Sequence, residues 1–456
     1  MQQCDVIVIG TGTAGQTAAQ DLAASGYQVM VIEQSMEPGG VCSLHGCQAK
    51  KFFYEVAEAV ARCRHLAGRG IVMQPTASWS DIQKAKNEFT AKIPEATVRG
   101  LRGSGIEYIT GSAAFVDSAT VEVNGQSFSA DSFIIACGAR PASLPFEGAE
   151  YLVDSNTFLS LDGVPPRIVF VGGGFISFEF AHFAARLGST PSEIHIVEAA
   201  ERPLAGFDAD MVEQLVAASA QDGIRVHVST AISGIERHGA GYAVSTAGGR
   251  FLETDMVVHG AGRVAAIDNL NLESAGIAHS PSGIEVGRDM RTSRSTIFAV
   301  GDCAASIQLA RVADREAAVA AANIKADLKG GERAEIDYRP VPATLFTYPQ
   351  LSMVGETEEQ LLERGVKYWK SFDTNLGWPT YRRVGLRHAA YKILVDEHDR
   401  VLGAHVLSDN TTGVINVFKQ AMIDDTDIGK LRDDHIMSPY PSRESDIVYM
   451  LNPLLE

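Results

Sequence analysis

A chain of 456 residues is too long for one hydrophobic core, and 45% hydrophobic content suits a globular protein of about three domains. A net charge of −17 argues against nucleic acid and anionic membrane surfaces as partners, and no apolar run has the length of a membrane span. Six scattered cysteines are unlike a secreted disulfide scaffold, and the N-terminus lacks the basic region of a signal peptide, so a cytoplasmic protein is expected.

The first apolar run, Cys4–Ile9, predicts a buried strand. Gly10-Thr-Gly12-Thr13-Ala14-Gly15, an Ala-rich helical stretch and a second apolar run ending in Glu33 follow. That spacing predicts a dinucleotide-binding βαβ unit, with glycines for a tight turn, for close approach to a pyrophosphate and for helix packing. Glu33 suits a ribose hydroxyl. Cys42 and Cys47 come next, and by themselves they allow three readings: a redox dithiol beside a nucleotide cofactor, two packed core residues, or two zinc ligands. No second Cys/His pair stands at zinc-finger spacing, so no metal is expected.

Phe133–Ile135 predicts another strand, turning at Ala136-Cys137-Gly138-Ala-Arg140-Pro141. Cys137 has no cysteine near it in sequence and reads as a small packed residue. A second glycine-rich unit begins at Arg167 and runs through Gly172-Gly-Gly174-Phe175-Ile176-Ser177-Phe-Glu179. Its helix is expected to end near Gly188, and its next strand is Ile194–Glu198. Ser177 takes the third glycine's place as a small residue. Ala261-Gly262-Arg263 marks an exit from this unit, and Thr296–Gly301 is a β-branched strand that presents Asp302. After about Tyr338 the chain changes character. Tyr391–Val395 and Val401–Leu407 predict antiparallel strands joined by a turn at Asp396–Asp399, with a helix near Gly413–Ile423.

Gly39-Gly40-Val41-Cys42-Ser-Leu-His-Gly46-Cys47-Gln-Ala-Lys-Lys51 resembles the active-site signature GG-T-C-x4-C-x-P-S-K of the class I pyridine nucleotide–disulfide oxidoreductases. This is the family of dihydrolipoamide dehydrogenase, glutathione reductase and mercuric reductase. Val41 departs from the pattern at Thr, and Ala49 and Lys50 depart at Pro-Ser. The Ala136-Cys137-Gly138 turn is similar to the family's Ala-Thr-Gly, and Gly301-Asp302 to its flavin-facing acid. The segments Val341–Pro349 and Val354–Thr357 are similar to the opening of its dimerisation domain.

The resemblance covers essentially the whole chain in family order. It implies an α/β fold of two Rossmann-like domains, for FAD and NAD, plus a C-terminal α+β dimerisation domain. The implied bounds are 1–147 and 265–337 for FAD, 148–264 for NAD and 338–456 for the interface. Cofactor contacts are implied at Gly10, Gly12, Thr13, Ala14, Gly15, Glu33, Gly40, Val41, Lys51, Ala113, Ala136, Cys137, Gly138, Gly172, Gly174, Phe175, Ile176, Glu198, Gly262, Asp302 and Ala310.

The resemblance further implies a homodimer that passes electrons from NADH through FAD to a Cys42–Cys47 disulfide, and on to a small or protein-bound disulfide. Cys47 would be the charge-transfer thiolate, Cys42 the interchange thiol, and Lys51 with Glu179 an ion pair near the flavin. Glu198 would repel a 2′-phosphate, and Ala199 and Ala205 stand at the arginine positions of NADPH enzymes. NADH is therefore expected, with Arg202 the one feature against it. The family's C-terminal His-Pro-Thr-x-x-Glu is replaced here. Tyr440 stands at the His and Ser445 at the Glu. A phenol of pKa about 10 shuttles protons poorly beside an imidazole of about 6.5, so slow turnover of lipoamide or glutathione disulfide is expected. Mercuric reductase shares a Tyr here but carries a C-terminal cysteine pair, and Tyr449–Glu456 has no cysteine. Other readings are an NADH oxidase, quinone or metal-ion reductase on the same scaffold, or a non-catalytic FAD-bearing interaction subunit.

Overall fold

Parallel strands buried on both faces need continuous apolar runs, and Val6–Ile9 supplies one in β1 (Gln2–Ile9). The computed structural model describes residues 2–188, 192–374 and 376–456. They divide into two compact units. The first comprises residues 1–51, 84–142 and 262–337, and the second comprises 52–83, 143–261 and 338–456.

In the first unit, β1 leads into α1 (Thr13–Ala24) and β2 (Val29–Glu33). Ala14, Ala18, Ala19 and Leu22 recur at helical spacing and are the buried stripe of α1. Two helices carry the cysteines: α2 (Gly40–Leu44) holds Cys42, and α3 (Cys47–His65) begins at Cys47. The remaining strands are β3 (Glu107–Thr110), β4 (Ala113–Asp117), β5 (Thr120–Val123) and β6 (Gln126–Ile135). The sheet order is β3-β2-β1-β6-β5-β4, and the strand Ile297–Ala299 also pairs with β6. Register decides where function can lie. Ile9 pairs with Ile32 and Ile135, and Ile135 pairs with Ala299, so β1, β2, β6 and Ile297–Ala299 end along one carboxyl edge. Ligands of open parallel sheets bind at such an edge.

The second unit contains a parallel sheet in the order Ile224–His227, Glu193–Val197, Arg167–Val171, Met256–His259. The helix Phe175–Leu187 follows Arg167–Val171 and ends at Gly188, as its spacing predicts. The next strand is Glu193–Val197, one residue earlier than expected, which leaves Glu198 just beyond the strand with both carboxylate oxygens in loop contacts. A five-stranded antiparallel sheet runs Ala343–Leu345, Gln350–Gly355, Val401–Ser408, Ala390–Val395, Trp369–Asp373. The expected hairpin is its centre: Asp396 accepts from the amides of His398 and Arg400, and Asp399 takes φ +60°. The helix Thr412–Ile423 packs Val414, Ile415 and Phe418 into the core of this sheet.

Candidate functional site: a dithiol beside a glycine-rich turn

At the carboxyl edge each glycine of Gly10-Thr-Gly-Thr-Ala-Gly15 has a separate reason. A Cβ on Gly10, at φ +111°, would stand 2.3 Å from the Ala136 carbonyl oxygen, and one on Gly15 would stand 2.1 Å from the Gly10 oxygen. Gly12 faces open space and caps α1 with no side-chain hydrogen bond, so the first-turn amides are left for an anion. This cradle fits the pyrophosphate of a dinucleotide such as FAD. Glu33 closes the turn. Its Oε2 accepts from the Thr11 amide (2.8 Å) and hydroxyl (2.6 Å), and its Oε1 from the Ser35 amide (2.8 Å). The buried Thr11 hydroxyl also accepts from the Gly39 amide at 2.9 Å, which ties the turn to the start of α2.

Backbone contact then sets the dithiol. A Cβ on Gly40 would lie 2.5 Å from Gly12 Cα, so only glycine lets α2 rest on the nucleotide turn. Cys42 and Cys47 are free thiols, both part-buried, and hydrogen-bonded to one another. The pair is electrostatically unequal. Cys47 is pulled down to about 6, chiefly because the Cys42 S–H donates to it. The Lys50 ammonium and the Cys47 amide at the start of α3 assist, against burial and the Asp302 carboxylate. Cys42 is pushed far up, first by that same hydrogen bond, then by burial, by the Cys47 charge and by Asp314. The arrangement holds a thiolate on Cys47 and a proton on Cys42. Lys51 lies one helical turn beyond Cys47 on α3.

Around this core, Asp302 sits in a one-turn 3-10 helix, Gly301–Cys303, and burial raises its pKa while Arg263 opposes the rise. Ala136 and Gly138 form the turn after β6, Ala113 is buried at the start of β4, and Ala310 begins the helix Ala310–Lys329. Thr13 donates to Asp314 of that helix. Four residues of this site carry roles that the sequence did not suggest: Thr11, Lys50, Asp314 and Glu316. Glu316 is fully buried and accepts from the Gly301 amide at 2.7 Å, anchoring the Asp302 turn. An acid within the buried Ala313-Ala317-Ala320 face was the available signal.

The second unit repeats the device. Glu198 Oε2 accepts from the Gly173 amide at 2.5 Å and its Oε1 from the Ala200 amide at 2.7 Å. A Cβ on Gly172 would meet Ala261 Cα at 2.5 Å, and Gly174 caps its helix without a side-chain bond. Ser177 fits because Gly260 faces it: a Cβ there would be 1.9 Å from the Ser177 oxygen. Phe175 and Gly262 are exposed. Arg202 donates to the carbonyls of Phe207 (2.7 Å) and Ala205 (3.3 Å), with Glu359 3.8 Å away, so its guanidinium is committed within its own unit. Glu179 is buried and accepts from the Phe346 amide at 3.0 Å. Lys51 belongs to the first unit and Glu179 to the second.

In the C-terminal segment Tyr440 is 71% exposed. Arg443 pins the segment from below through Asp409 (2.6 Å) and the Tyr381 ring (4.0 Å). Ser445 is spent on a local turn, donating to the Ser442 carbonyl at 2.7 Å. Glu444 lies over Gly413 at the start of Thr412–Ile423, and His435 Nδ1 sits 2.9 Å from the Leu431 carbonyl of its own helix.

Two glycine-turn nucleotide units and a polarised dithiol at the edge of one of them define a dinucleotide-dependent thiol–disulfide oxidoreductase. The chain belongs to the pyridine nucleotide-disulphide oxidoreductase family: residues 4–317 match the family and residues 341–448 match its dimerisation domain. It is 32% identical to dihydrolipoyl dehydrogenase of Bacillus subtilis (strain 168), over 77% of each chain. It is 29% identical to glutathione reductase of Schizosaccharomyces pombe, over 92% of each. Its fold is similar to that of the HOCl-induced flavoprotein disulfide reductase RclA from Escherichia coli, at TM-score 0.86 and 26% identity over 97% of this chain and 98% of that one. The Cu(II) complex of RclA matches at TM-score 0.87, with full coverage of both chains. The chain is accordingly a flavin-dependent oxidoreductase acting on disulfides, using FAD and NAD(P)H, and its dimerisation domain supports a homodimer. Among the described residues no helix is long and apolar enough to cross a membrane.

Proposed function

We propose that this protein is an NADH-dependent disulfide reductase in which Cys42 attacks the substrate and Cys47 is the resident thiolate. The unequal Cys42–Cys47 hydrogen bond supports the reading best. The cradle of Gly10, Gly12, Gly15 and Glu33 would hold FAD, with Gly40, Val41, Ala136, Gly138, Asp302 and Ala310 around it, and Gly172, Gly174 and Glu198 would hold the nicotinamide nucleotide. When bound, these cofactors supply the two electrons that open the Cys42–Cys47 disulfide. Every later step belongs to the chain's own residues. Cys42 gives up its proton as it attacks one sulfur of the substrate, an S–S bond forms to it, and the other sulfur leaves as a thiol. The Cys47 thiolate then closes on Cys42, restores the disulfide and releases the second sulfur as a thiolate, which takes its proton from the solvent. Two electrons thus pass to the substrate, with one proton from Cys42 and one from the solvent.

Tyr440 stands where the family places its proton-handling His, and a phenol there donates a proton to the leaving thiolate but does not readily accept one at neutral pH. The proposed domain bounds are 1–147 with 265–337, 148–264 and 338–456. A metal-ion reductase is the second reading, favoured by the likeness to RclA, of which a Cu(II) complex is known. Anaerobic NADH oxidation measured with lipoamide, glutathione disulfide, coenzyme A disulfide, quinones, Cu(II) and Hg(II) tests the assignment. Turnover of a disulfide that Cys42→Ser abolishes supports the first reading. Turnover of Cu(II) alone transfers the assignment to the second.

A further inference from the structure

Two stretches of this acidic chain lack acid altogether. Residues 59–80 and 374–395 contain no Asp or Glu, in a chain that has 56 of them and a net charge of −17. The fold of the second unit joins the two. Arg69 donates to the Arg382 carbonyl at 2.7 Å, and a Cβ on Gly385 would stand 2.5 Å from the His65 carbonyl oxygen. This contact gathers Arg64, Arg69, Arg382, Arg383 and Arg387, all exposed. Among the described residues only Arg64 of the five has a salt bridge, at 3.8 Å to Asp222, which Arg186 already holds at 2.5 Å. Asp446 is buried and accepts from Thr380 of the short helix Pro379–Arg383 at 2.6 Å. Val72 and Met73, in the same loop as Arg69, are 98% and 84% exposed.

We propose that this arginine face docks an acidic protein. On the reading of the dithiol as a disulfide reductase, that protein carries the disulfide which Cys42 attacks. The breadth of the face points to a macromolecule, since a small anion would leave Val72 and Met73 uncovered, and protein interfaces are enriched in Arg and Met. Scale agrees. The helix α3 runs from Cys47 to His65, about 27 Å along its axis, so one small disulfide does not reach from the dithiol to this face. Charge then selects the partner. A chain of net charge −17 repels an acidic protein, while a local cluster of guanidinium groups attracts it, so the partner is turned toward this face as it arrives. A nucleic acid fits less well, because its charge would continue past the face onto an acidic chain.

The test uses the FAD holoenzyme and two synthetic peptides that enclose the same Cys-x-x-Cys disulfide, one flanked by glutamates and one by lysines. Fluorescence anisotropy of the dye-labelled peptides, without NADH, reads binding independently of turnover. The glutamate peptide should bind at least about tenfold tighter at low salt, and the preference should vanish near about 0.5 M salt. Arg382→Gln/Arg387→Gln should erase the preference while leaving FAD reduction by NADH unchanged. Arg69→Gln, a single change in an exposed loop, should weaken it and serves if the double variant misfolds. With NADH present, kcat/KM for the two disulfides should follow the order of binding. Tight binding of the glutamate peptide without turnover would uphold the docking face and refute the disulfide-reductase reading instead. Equal binding of the two peptides, or tighter binding of a single-stranded DNA of equal charge, would overturn the proposal. So would dissociation of the homodimer by Arg382→Gln/Arg387→Gln, which would assign the face to a second copy of the chain.

Discussion

Removing the Cys42 thiol in two ways separates its role as a proton donor from its role as a nucleophile. With its pKa drawn down to about 6, Cys47 is about nine-tenths thiolate at pH 7, against about one-hundredth for a thiol at the ordinary 9.0. Because that pKa is depressed, the thiolate is present above about pH 6 and is lost as pH falls through it. The largest contribution is the Cys42 S–H, and a hydrogen bond to a charged group is worth about 1.5–3 kcal/mol, or about one to two pH units. Cys42→Ser keeps an O–H donor and should titrate close to wild type. Cys42→Ala removes the donor, should raise the apparent pKa by about one to two units and should leave between about a half and a tenth of the thiolate at pH 7. The readout is the long-wavelength absorbance of the Cys47 thiolate against FAD in each holoenzyme, titrated with pH. Equal titration of the Ser and Ala variants would refute the hydrogen-bond account, and loss of the band in either would show that the two cysteine roles are reversed.

Gly15→Val should yield protein with little or no FAD, since a Cβ there meets the Gly10 carbonyl oxygen at 2.1 Å; a normal ratio of flavin to protein absorbance would contradict this. Steady-state kcat/KM for NADH should exceed that for NADPH by at least about tenfold, or about 1.4 kcal/mol, because Glu198 in its proposed role would repel a 2′-phosphate and Arg202 is held by Phe207 and Ala205. Equal efficiencies would place a phosphate-binding cation elsewhere. Tyr440→Phe should slow disulfide turnover while leaving stopped-flow reduction of FAD by NADH unchanged, and Tyr440→His should speed small disulfides only modestly because Ser445 is occupied by Ser442. An unchanged steady-state rate in Tyr440→Phe would reduce Tyr440 to a space-filling residue.

What was legible in the sequence was local. The glycine spacing located both βαβ units because Gly10, Gly15 and Gly172 allow close backbone approach and Gly12 and Gly174 open a helix N-terminus, and the cysteine signature located α2 and the start of α3. Glu198 was expected to end its strand, yet the strand stops at Val197 because the carboxylate reaches back to Gly173 and forward to Ala200. What escaped was non-local. Glu316 reaches Gly301, Asp314 reaches Thr13, and Cys303 reaches Cys137 only because parallel pairing aligns strands distant in the chain. Lys50 was visible as a departure from the family pattern, but its effect on Cys47 required the start of α3 to be in place.

Glu33 shows why the nucleotide turn and the dithiol are one construction. In the second unit, Glu198 spends its carboxylate on the turn and the loop and goes no further. In the first, Glu33 does the same through Thr11 and Ser35, but Thr11 passes the constraint to the Gly39 amide, and Gly40 then rests on Gly12. Three contacts thus run from Glu33 to the first residue of the helix that carries Cys42. Holding thiols at a fixed place beside a flavin requires rigidity on the scale of tenths of an ångström. Backbone-to-backbone glycine contacts provide it better than any pair of flexible side chains. The same fold without Thr11 would keep its glycine turn, as the second unit does, but it would leave α2 without its anchor.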